Sequence, residues 1–246
     1  MNEVEQVKVE WFTPFEGLED LVPPVSATDC IPEWTKRMPA IVDVPSTPRG
    51  PGAKGNYHET ATFKVCPGWV DLYREAYILQ LWSDCKIKAT SKGAQIVFAG
   101  SMFEAGLHPN WQYLNHAPTN NYVNTVKLVS PWHIRTSPGW GVLQLPLQYE
   151  FNDKFDIAMG IVHTDVLHEV NPQLMIKTED EISLKVGDPI AMYIPIKLNK
   201  AVEKSVSIGY STVDQMKSYK RGSLGGFLKF TQSYRWLIER LNGYRT

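Results

Sequence analysis

The stretch FDIAMGIVHTDVLHEV, residues 155–170, decides how the rest of this sequence is interpreted. Its first half is a short apolar run bounded by turn residues, which is typical of a β-strand. Its second half places His163, Asp165, His168 and Glu169 within seven residues. Three interpretations fit that composition: a metal site, a catalytic loop, or the polar end of a strand that faces water.

The chain on both sides of this stretch, from residue 61 to residue 200, has the same texture. Short runs such as AYILQLW, AQIVFA and IAMYIPI alternate with the turn residues Gly, Pro, Asn and Asp. Such spacing is typical of β-sandwiches and β-barrels. We therefore predict a mainly β core domain over residues 61–200, in which Ile161, Ile190, Ala191 and Ile194 are buried in adjacent strands.

The two flanking segments differ from this core. Residues 1–60 are rich in proline but keep aromatic residues such as Trp11 and Trp34, so we predict an extended N-terminal arm packed on the core. Residues 201–246 are predicted to form a linker and a C-terminal amphipathic helix, because apolar residues recur there at spacings of three and four. These residues are Phe227, Phe230, Tyr234, Leu237 and Leu241.

Composition limits the class of protein. The 246 residues are 43% hydrophobic and carry a formal net charge of −1, so the whole molecule does not attract nucleic acid electrostatically. The three cysteines, Cys30, Cys66 and Cys85, form no CxxC pair, which argues against a zinc ribbon or a disulfide framework. We find no signal peptide and no apolar run of about 18 residues, and therefore expect a cytoplasmic or virion protein without a membrane partner.

Two blocks of the sequence resemble the trimeric dUTPase and dCTP deaminase group, in which a strand with a GVID-x-D-Y-x-G-E-like loop is followed by a GDRIAQL-like strand. The resemblance covers roughly forty residues and implies a β-clip core, so the predicted fold is a β-sandwich or a dUTPase-like β-clip. The matching residues are Gly160, Ile161, Val162, Asp165, Glu169, Val170, Gly187, Asp188, Ile190, Ala191 and Ile194.

The departures from that group concern the residues on which its chemistry depends. His163 replaces the water-activating aspartate, Val166 replaces the tyrosine that stacks under the sugar, and His168 replaces the loop glycine. Pro189 and Met192 replace the Arg and Gln of the second block. The Gly-rich RGSLGGF, residues 221–227, is similar to the group's C-terminal arm but one residue out of register. The resemblance therefore implies the scaffold more than the hydrolysis of nucleotides.

A second resemblance covers more of the chain, from Cys30 to Lys197. The fragments IPEW, KVCPGWVD, SPWHIRTSPGWGVL, GIVHTD and VGDPIAMYIPIK, in this order, are similar to those of an uncharacterised protein family of tailed phages, including marine ones. That resemblance implies a viral origin and carries no assigned chemistry.

His163 and Asp165 are the candidate catalytic residues, since a neutral imidazole can act as a general base. They also match the first two ligands of the facial triad of non-haem Fe(II) oxygenases. Such a triad needs a second histidine well downstream, and none follows His168. His163, Asp165 and His168 are therefore kept only as an alternative metal set. Exposed turn residues are the favoured interpretation, and no cofactor is predicted.

The segment SPWHIRTSPGWGVL, residues 130–143, is the second candidate region. It could form an aromatic wall with two cationic donors, but we favour a strand that enters a Pro-Gly turn and whose tryptophans fill the core. The candidate ligand-binding residues of both regions together are His133, Arg135, Trp140, His168 and Glu169.

These patterns favour a non-enzymatic phage-type protein, either a binding module or a part of the particle. The alternative is a diverged, dUTPase-like nucleotide-acting enzyme or a metal-dependent enzyme. The expected partners are a second copy of the chain or other phage proteins, bound through the C-terminal helix.

Overall fold

A computed structural model of the chain describes residues 6–45, 57–100, 102–108 and 121–198. Twenty-one short elements follow one another in these ranges. In chain order they are β1 (Val9–Phe12), α1 (Leu18–Leu21), β2 (Val25–Ser26), the 3-10 turn η1 (Ala27–Cys30), α2 (Glu33–Arg37), β3 (Ile41–Pro45), β4 (Tyr57–Ala61), the 3-10 turn η2 (Phe63–Val65), α3 (Pro67–Glu75), β5 (Tyr77–Gln80), β6 (Cys85–Thr90), β7 (Gly93–Phe98), β8 (Ala105–His108), β9 (Asn124–Leu128), β10 (His133–Thr136), β11 (Trp140–Leu145), β12 (Phe155–Ile157), β13 (Gly160–Val162), β14 (Gln173–Ile176), β15 (Ile182–Leu184) and β16 (Pro189–Lys197).

The prediction of a mainly β protein is confirmed, since antiparallel strands far outnumber helices in the described ranges. Their sheets have the strand orders β13-β11-β16-β5-β2, β12-β14-β9-β8, β15-β6-β7, β1-β10 and β3-β4. Long pairings such as β11 with β16, in which Trp140 lies opposite Lys197, connect parts of the chain that are distant in sequence.

The described residues divide into two compact units, and the larger one comprises residues 6–30 and 75–198 with their gaps. Four sheets of this unit contribute to a single hydrophobic core. Strands alternate between buried and exposed positions, as in β6, because successive side chains of a strand point to opposite faces. Fully buried core residues include Leu79, Ile87, Ile134, Leu174 and Tyr193.

The prediction that three isoleucines and one alanine are buried is confirmed only in part. Ile190 and Ala191 are fully buried in β16, and Ile194 is half-buried. The prediction for Ile161 is wrong, since this side chain is 55% exposed. The reason is strand alternation: Val162 packs against the core, so its neighbour Ile161 must point to the opposite face of the edge strand β13.

The smaller unit comprises residues 31–45 and 57–74. Its hairpin pairs β3 with β4, and the Thr62 hydroxyl closes the hairpin by donating to the carbonyl of Pro39 at 2.6 Å. Trp34 stacks on Phe63 with ring centroids 6.3 Å apart, and Phe63 in turn contacts Trp69 of α3 at 5.4 Å. Aromatic contacts therefore organise this unit.

The predicted N-terminal arm, residues 1–60, spans parts of both units. In the larger unit, β1 pairs with β10, and Trp11 packs edge-on against Tyr193 with centroids 5.6 Å apart. The predicted linker and C-terminal helix, residues 201–246, lie outside the described residues. None of the described helices is long and apolar enough to cross a membrane.

Candidate functional site

The candidate turn follows the edge strand β13 and ends where the chain rejoins β10. The carbonyl of His163 accepts the backbone N–H groups of Val166 and Leu167 at 3.1 and 2.8 Å, which closes a tight turn. Beyond it, Glu169 forms an isolated antiparallel bridge with His133. The two candidate regions, residues 155–170 and 130–143, are therefore neighbours in space. Their sequence motifs alone did not indicate this contact.

Thr164 fixes the turn from inside, and its side chain is fully buried. The Thr136 hydroxyl donates to the carbonyl of Trp140 at 2.7 Å and lies 2.8 Å from the Thr164 hydroxyl. Because a hydroxyl has one hydrogen, the Thr164 hydroxyl must donate to that of Thr136. This chain of bonds ties the turn to the β10–β11 hairpin. No motif indicated this chain of bonds, since the two threonines are 28 residues apart.

Asp165 and His168 are also used within the fold. The Asp165 Oδ2 accepts the backbone N–H of Gly139 at 3.1 Å. His168 Nδ1 lies 3.0 Å from the carbonyl oxygen of Thr164, and because a carbonyl can only accept, Nδ1 carries the hydrogen. The His168 carbonyl in turn accepts the N–H of Ile134 at 2.9 Å. The Asp165 side chain therefore ties the turn to the hairpin that follows β10, the His168 side chain closes the turn on itself, and the His168 backbone ties it to β10.

Phe12 is a residue of this region that the sequence analysis missed. Its ring stacks on His133 with centroids 5.3 Å apart and meets His168 edge-on at 5.9 Å. The Arg135 guanidinium lies 5.1 Å from the same ring centroid, within cation–π range. The alternation of VKVEWF could have revealed Phe12, because a strand that turns Trp11 inward turns the next residue outward.

The positive charge of Arg135, next to this aromatic cluster, is balanced by Glu10 of β1. Arg135 lies 3.9 Å from Glu10, and Lys8 lies 2.6 Å from the same carboxylate. The hydrogen bond from Lys8 is the main reason why the pKa of Glu10 is lowered, with a smaller contribution from Arg135. Both cations are largely exposed, so solvent screens these pairs.

A groove of about 390 Å³ runs along β13 on the outer side of the turn. Ile161, His163 and Glu169 line it together with Lys127 and Gln173 from the neighbouring sheet. Of the candidate residues, His163 and Glu169 thus reach the groove, whereas His133, Arg135 and His168 gather around Phe12. Trp140 lies apart from both groups at the start of β11.

The groove has an apolar border that the sequence analysis did not predict. Met159 and Ile161 on β13 and its approach are 71% and 55% exposed, and Val166 and Leu167 on the turn are 75% and 57% exposed. Single exposed apolar side chains are ordinary on protein surfaces, but Met159, Ile161 and Leu167 line the same groove and so give it an apolar border.

Metal binding was the alternative for His163, Asp165 and His168. Within the ranges that the structure describes, no three His, Cys, Asp or Glu side chains come together in a way that could hold a metal ion. His168 Nδ1 is occupied by its hydrogen bond to Thr164, and the described surroundings leave the buried Asp165 Oδ1 and His133 Nδ1 without a hydrogen-bond partner. The described geometry thus offers isolated polar atoms, not a ligand set.

Comparisons with known proteins were made on the whole chain. No protein-family model matches it and no curated protein matches it, so the resemblance to tailed-phage proteins finds no support there. Among solved structures, it is similar to the native dUTPase of EIAV, with a TM-score of 0.34 and 10% identity over 56% of this chain and 87% of that one. It is also similar to a mutant dUTPase of Staphylococcus bacteriophage 80alpha, with a TM-score of 0.32 and 11% identity over 56% and 86%. Both likenesses are distant.

Proposed function

We propose that this chain is a non-enzymatic β protein that acts by binding, and that it binds through the groove along β13. The observation that carries the proposal is the exposed apolar border of that groove on an edge strand. An edge strand presents backbone N–H and C=O groups that a further strand can pair with. Exposed apolar side chains on the same strand add contact area and desolvation to such pairing.

The occupant that we propose is a second copy of the chain. When an edge strand pairs antiparallel with the same strand of a second copy, a two-fold axis relates the two copies. This is the symmetry of most homodimers. The groove also carries opposite charges in Lys127 and Glu169. A two-fold axis can bring the lysine of one copy to the glutamate of the other, so the surface is complementary to itself.

The enzyme alternative rests on His163 and Glu169, which both line the groove and could act as base and acid. Against it, Thr164, Asp165 and His168 are engaged in bonds that hold the turn. A group that stabilises the folded chain is not thereby excluded from catalysis, but the turn leaves few polar groups that could act together on a substrate. Binding is therefore the better-supported function.

The decisive measurement is the molar mass of the full chain by sedimentation equilibrium over a hundredfold concentration range. We expect a reversible dimer for the wild type and a monomer for Ile161→Lys, because a charge on an edge strand opposes pairing. Val97→Lys is the matched control, since Val97 is similarly exposed, at 51%, on the edge strand β7 of another sheet. It should leave the dimer intact.

Two results would contradict the proposal: a wild-type chain that is monomeric throughout, or an Ile161→Lys variant with unchanged mass. A parallel thermal-shift screen with nucleoside triphosphates and divalent metals addresses the enzyme. A raised melting temperature that His163→Ala abolishes, together with turnover of the nucleotide, would favour catalysis over assembly.

The finer assignments belong to the same proposal. We infer a β-clip arrangement around the sheet that contains β13 and β16, in keeping with the dUTPase-like motifs in these two strands. We also infer that the predicted helix with the stripe Phe227 to Leu241 provides a second contact in the assembly, with its own chain or with another protein of a phage particle. Leu237→Asp should then weaken the assembly further without affecting the β core.

A further inference from the structure

A second cavity lies away from the candidate turn, under the loop that joins β11 to β12. Its volume is about 310 Å³, within the range of small-molecule sites. Tyr149, Phe151 and Asn152 line it from the loop, and Asp156 and Lys177 line it from β12 and the end of β14. No motif in the sequence pointed to this loop, which reads QYEFND.

The backbone of this loop is unusual at two aromatic residues. Tyr149 and Phe151 have φ angles of +66° and +53°, in the left-handed region that bulky side chains avoid. They are the only non-glycine residues with positive φ in the part of the chain that the structure describes. Both line the cavity, and Phe151 is 77% exposed. Burial in the core therefore does not explain why the loop presents an aromatic ring in this conformation.

The polar side of the cavity is a connected and electrically balanced group. The Lys177 ammonium lies 2.8 Å from Asp156 and donates to the backbone carbonyl of Asn152 at 3.1 Å. The Tyr122 hydroxyl donates to the other oxygen of Asp156 at 2.8 Å, and this bond is the main reason why the pKa of Tyr122 is raised. The two charges cancel, and the phenol stays neutral.

We propose that this cavity binds a neutral saccharide, whose apolar ring face stacks on Phe151 and whose hydroxyls meet Asp156, Lys177 and Asn152. A sugar hydroxyl both donates and accepts, so adjacent hydroxyls can bond to a carboxylate and an ammonium at once. An exposed aromatic ring offers a flat apolar surface at low entropic cost. A pyranose has an apolar ring face and polar hydroxyls, and the cavity offers the Phe151 ring for the first and charged polar groups for the second.

Charge decides against ionic ligands. A phosphate or carboxylate would have to compete with Asp156 for Lys177, and a cation would have to compete with Lys177 for Asp156. Either would leave a partly buried charge without its partner, which is costly. A neutral ligand adds hydrogen bonds to the pair without breaking it.

The test is saturation-transfer NMR of the full chain with the methyl glycosides of glucose, galactose, mannose and N-acetylglucosamine. We expect saturable transfer to at least one glycoside. Phe151→Gly should weaken that binding by roughly tenfold, the value of one aromatic contact. Glycine adopts positive φ without strain, so the melting temperature should not fall and lost binding cannot be ascribed to unfolding.

Leu21→Ala is the control, because it removes a similarly exposed apolar side chain, 79% exposed, from α1 and outside both grooves. It should leave the transfer unchanged. Asp156→Asn should also weaken binding, and the charged methyl glucuronide should bind less well than the glucoside. The proposal is overturned if none of the four glycosides shows transfer, if Phe151→Gly binds as the wild type does, or if the glucuronide binds more tightly.

Discussion

The turn at residues 163–168 and the loop at residues 148–152 use their side chains in opposite ways. The turn is rich in polar residues, and most of them are used within the fold. The Thr164 hydroxyl bonds to a buried hydroxyl, one Asp165 oxygen to the backbone of the β10–β11 hairpin, and the His168 ring to the backbone of the turn itself. The loop, QYEFN, also contains polar residues, but it differs from the turn in that it places Phe151 on the surface in a conformation that costs free energy.

This difference shows why functional residues are hard to identify from their chemical type alone. A cluster of His, Asp and Thr in a sequence suggests chemistry, but the same side chains are those that satisfy buried backbone groups in turns. A strained and exposed aromatic ring leaves no such signature in the sequence. The position of each group in the fold, buried and bonded or exposed, therefore separates structural from functional residues better than its chemical type does.

The largest expected effect tests whether the turn lies on a real core. Ile134 is fully buried beneath the turn and donates its N–H to His168, whereas Ile161 is exposed beside the turn. In the monomeric chain, Ile134→Ala should lower the free energy of unfolding by about 2–5 kcal/mol, and Ile161→Ala by no more than about 0.5 kcal/mol. Urea unfolding of the two variants measures both values. Equal losses would mean that the turn and strand β13 are packed differently.

A smaller effect tests the inward use of the Thr164 hydroxyl. Thr164→Val keeps the shape but removes the donor to Thr136, and should cost about 1 kcal/mol. Thr136→Val should cost more, because it leaves the buried Thr164 hydroxyl and the Trp140 carbonyl without their partner. The double variant should cost less than the sum of the two, which a double-mutant cycle in urea measures.

Val166→Ala, at an exposed position of the same turn, is the control for this cycle and should be neutral within about 0.5 kcal/mol. Additive losses for the two threonines would show that their hydroxyls do not interact. The turn would then be less tied to the β10–β11 hairpin than its hydrogen bonds indicate, and the comparison with the loop would lose its basis.

Much of the fold was predictable, because strand alternation and turn residues are local signals. The β texture of residues 61–200 and the burial of Ile190 and Ala191 follow from them. The side of β13 on which Ile161 lies was not predictable, since a shift of one residue exchanges the two faces of a strand. Only the pairing with β11, in which Leu143 lies opposite Ile161, fixes that register.

The candidate residues were predictable in kind but not in arrangement. His163 and Glu169 reach one groove, whereas His133 and His168 meet at Phe12 from a strand more than a hundred residues earlier. Pairing between strands that are distant in sequence brings such residues together, and the local patterns of a single sequence do not indicate which strands pair. The loop with Phe151 was missed because positive φ at an aromatic residue contradicts local preference.

The smallest expected effect sharpens the comparison at a third turn, which precedes β16. The Asp84 carboxylate accepts a hydrogen bond from the Lys185 ammonium at 2.7 Å and one from the backbone N–H of Val186 at 2.9 Å. The hydrogen bond from Lys185, followed by that from Val186, lowers the pKa of Asp84 below its usual value. If polar turn residues here are structural, this carboxylate must contribute to folding even though it is exposed.

The pH dependence follows from the direction of that shift. A carboxyl whose pKa is lower in the folded than in the unfolded chain stabilises the fold above its unfolded pKa, about 3.9 for aspartate. This stabilisation disappears as the pH falls through the folded value. The melting temperature of the wild type should therefore exceed that of Asp84→Asn at pH 5–7, and the two should converge as the pH falls below about 4.

Glu181→Gln is the matched control, because it changes the net charge equally and removes the carboxylate of another exposed pair, with Lys86 at 2.9 Å. Its difference from the wild type reports the general effect of charge, which must be subtracted from that of Asp84→Asn. A remaining difference that does not change between pH 7 and pH 2 would contradict the structural role of Asp84. A difference that vanishes in acid would extend the rule from the candidate turn to the turn before β16: polar side chains at these strand ends hold the backbone.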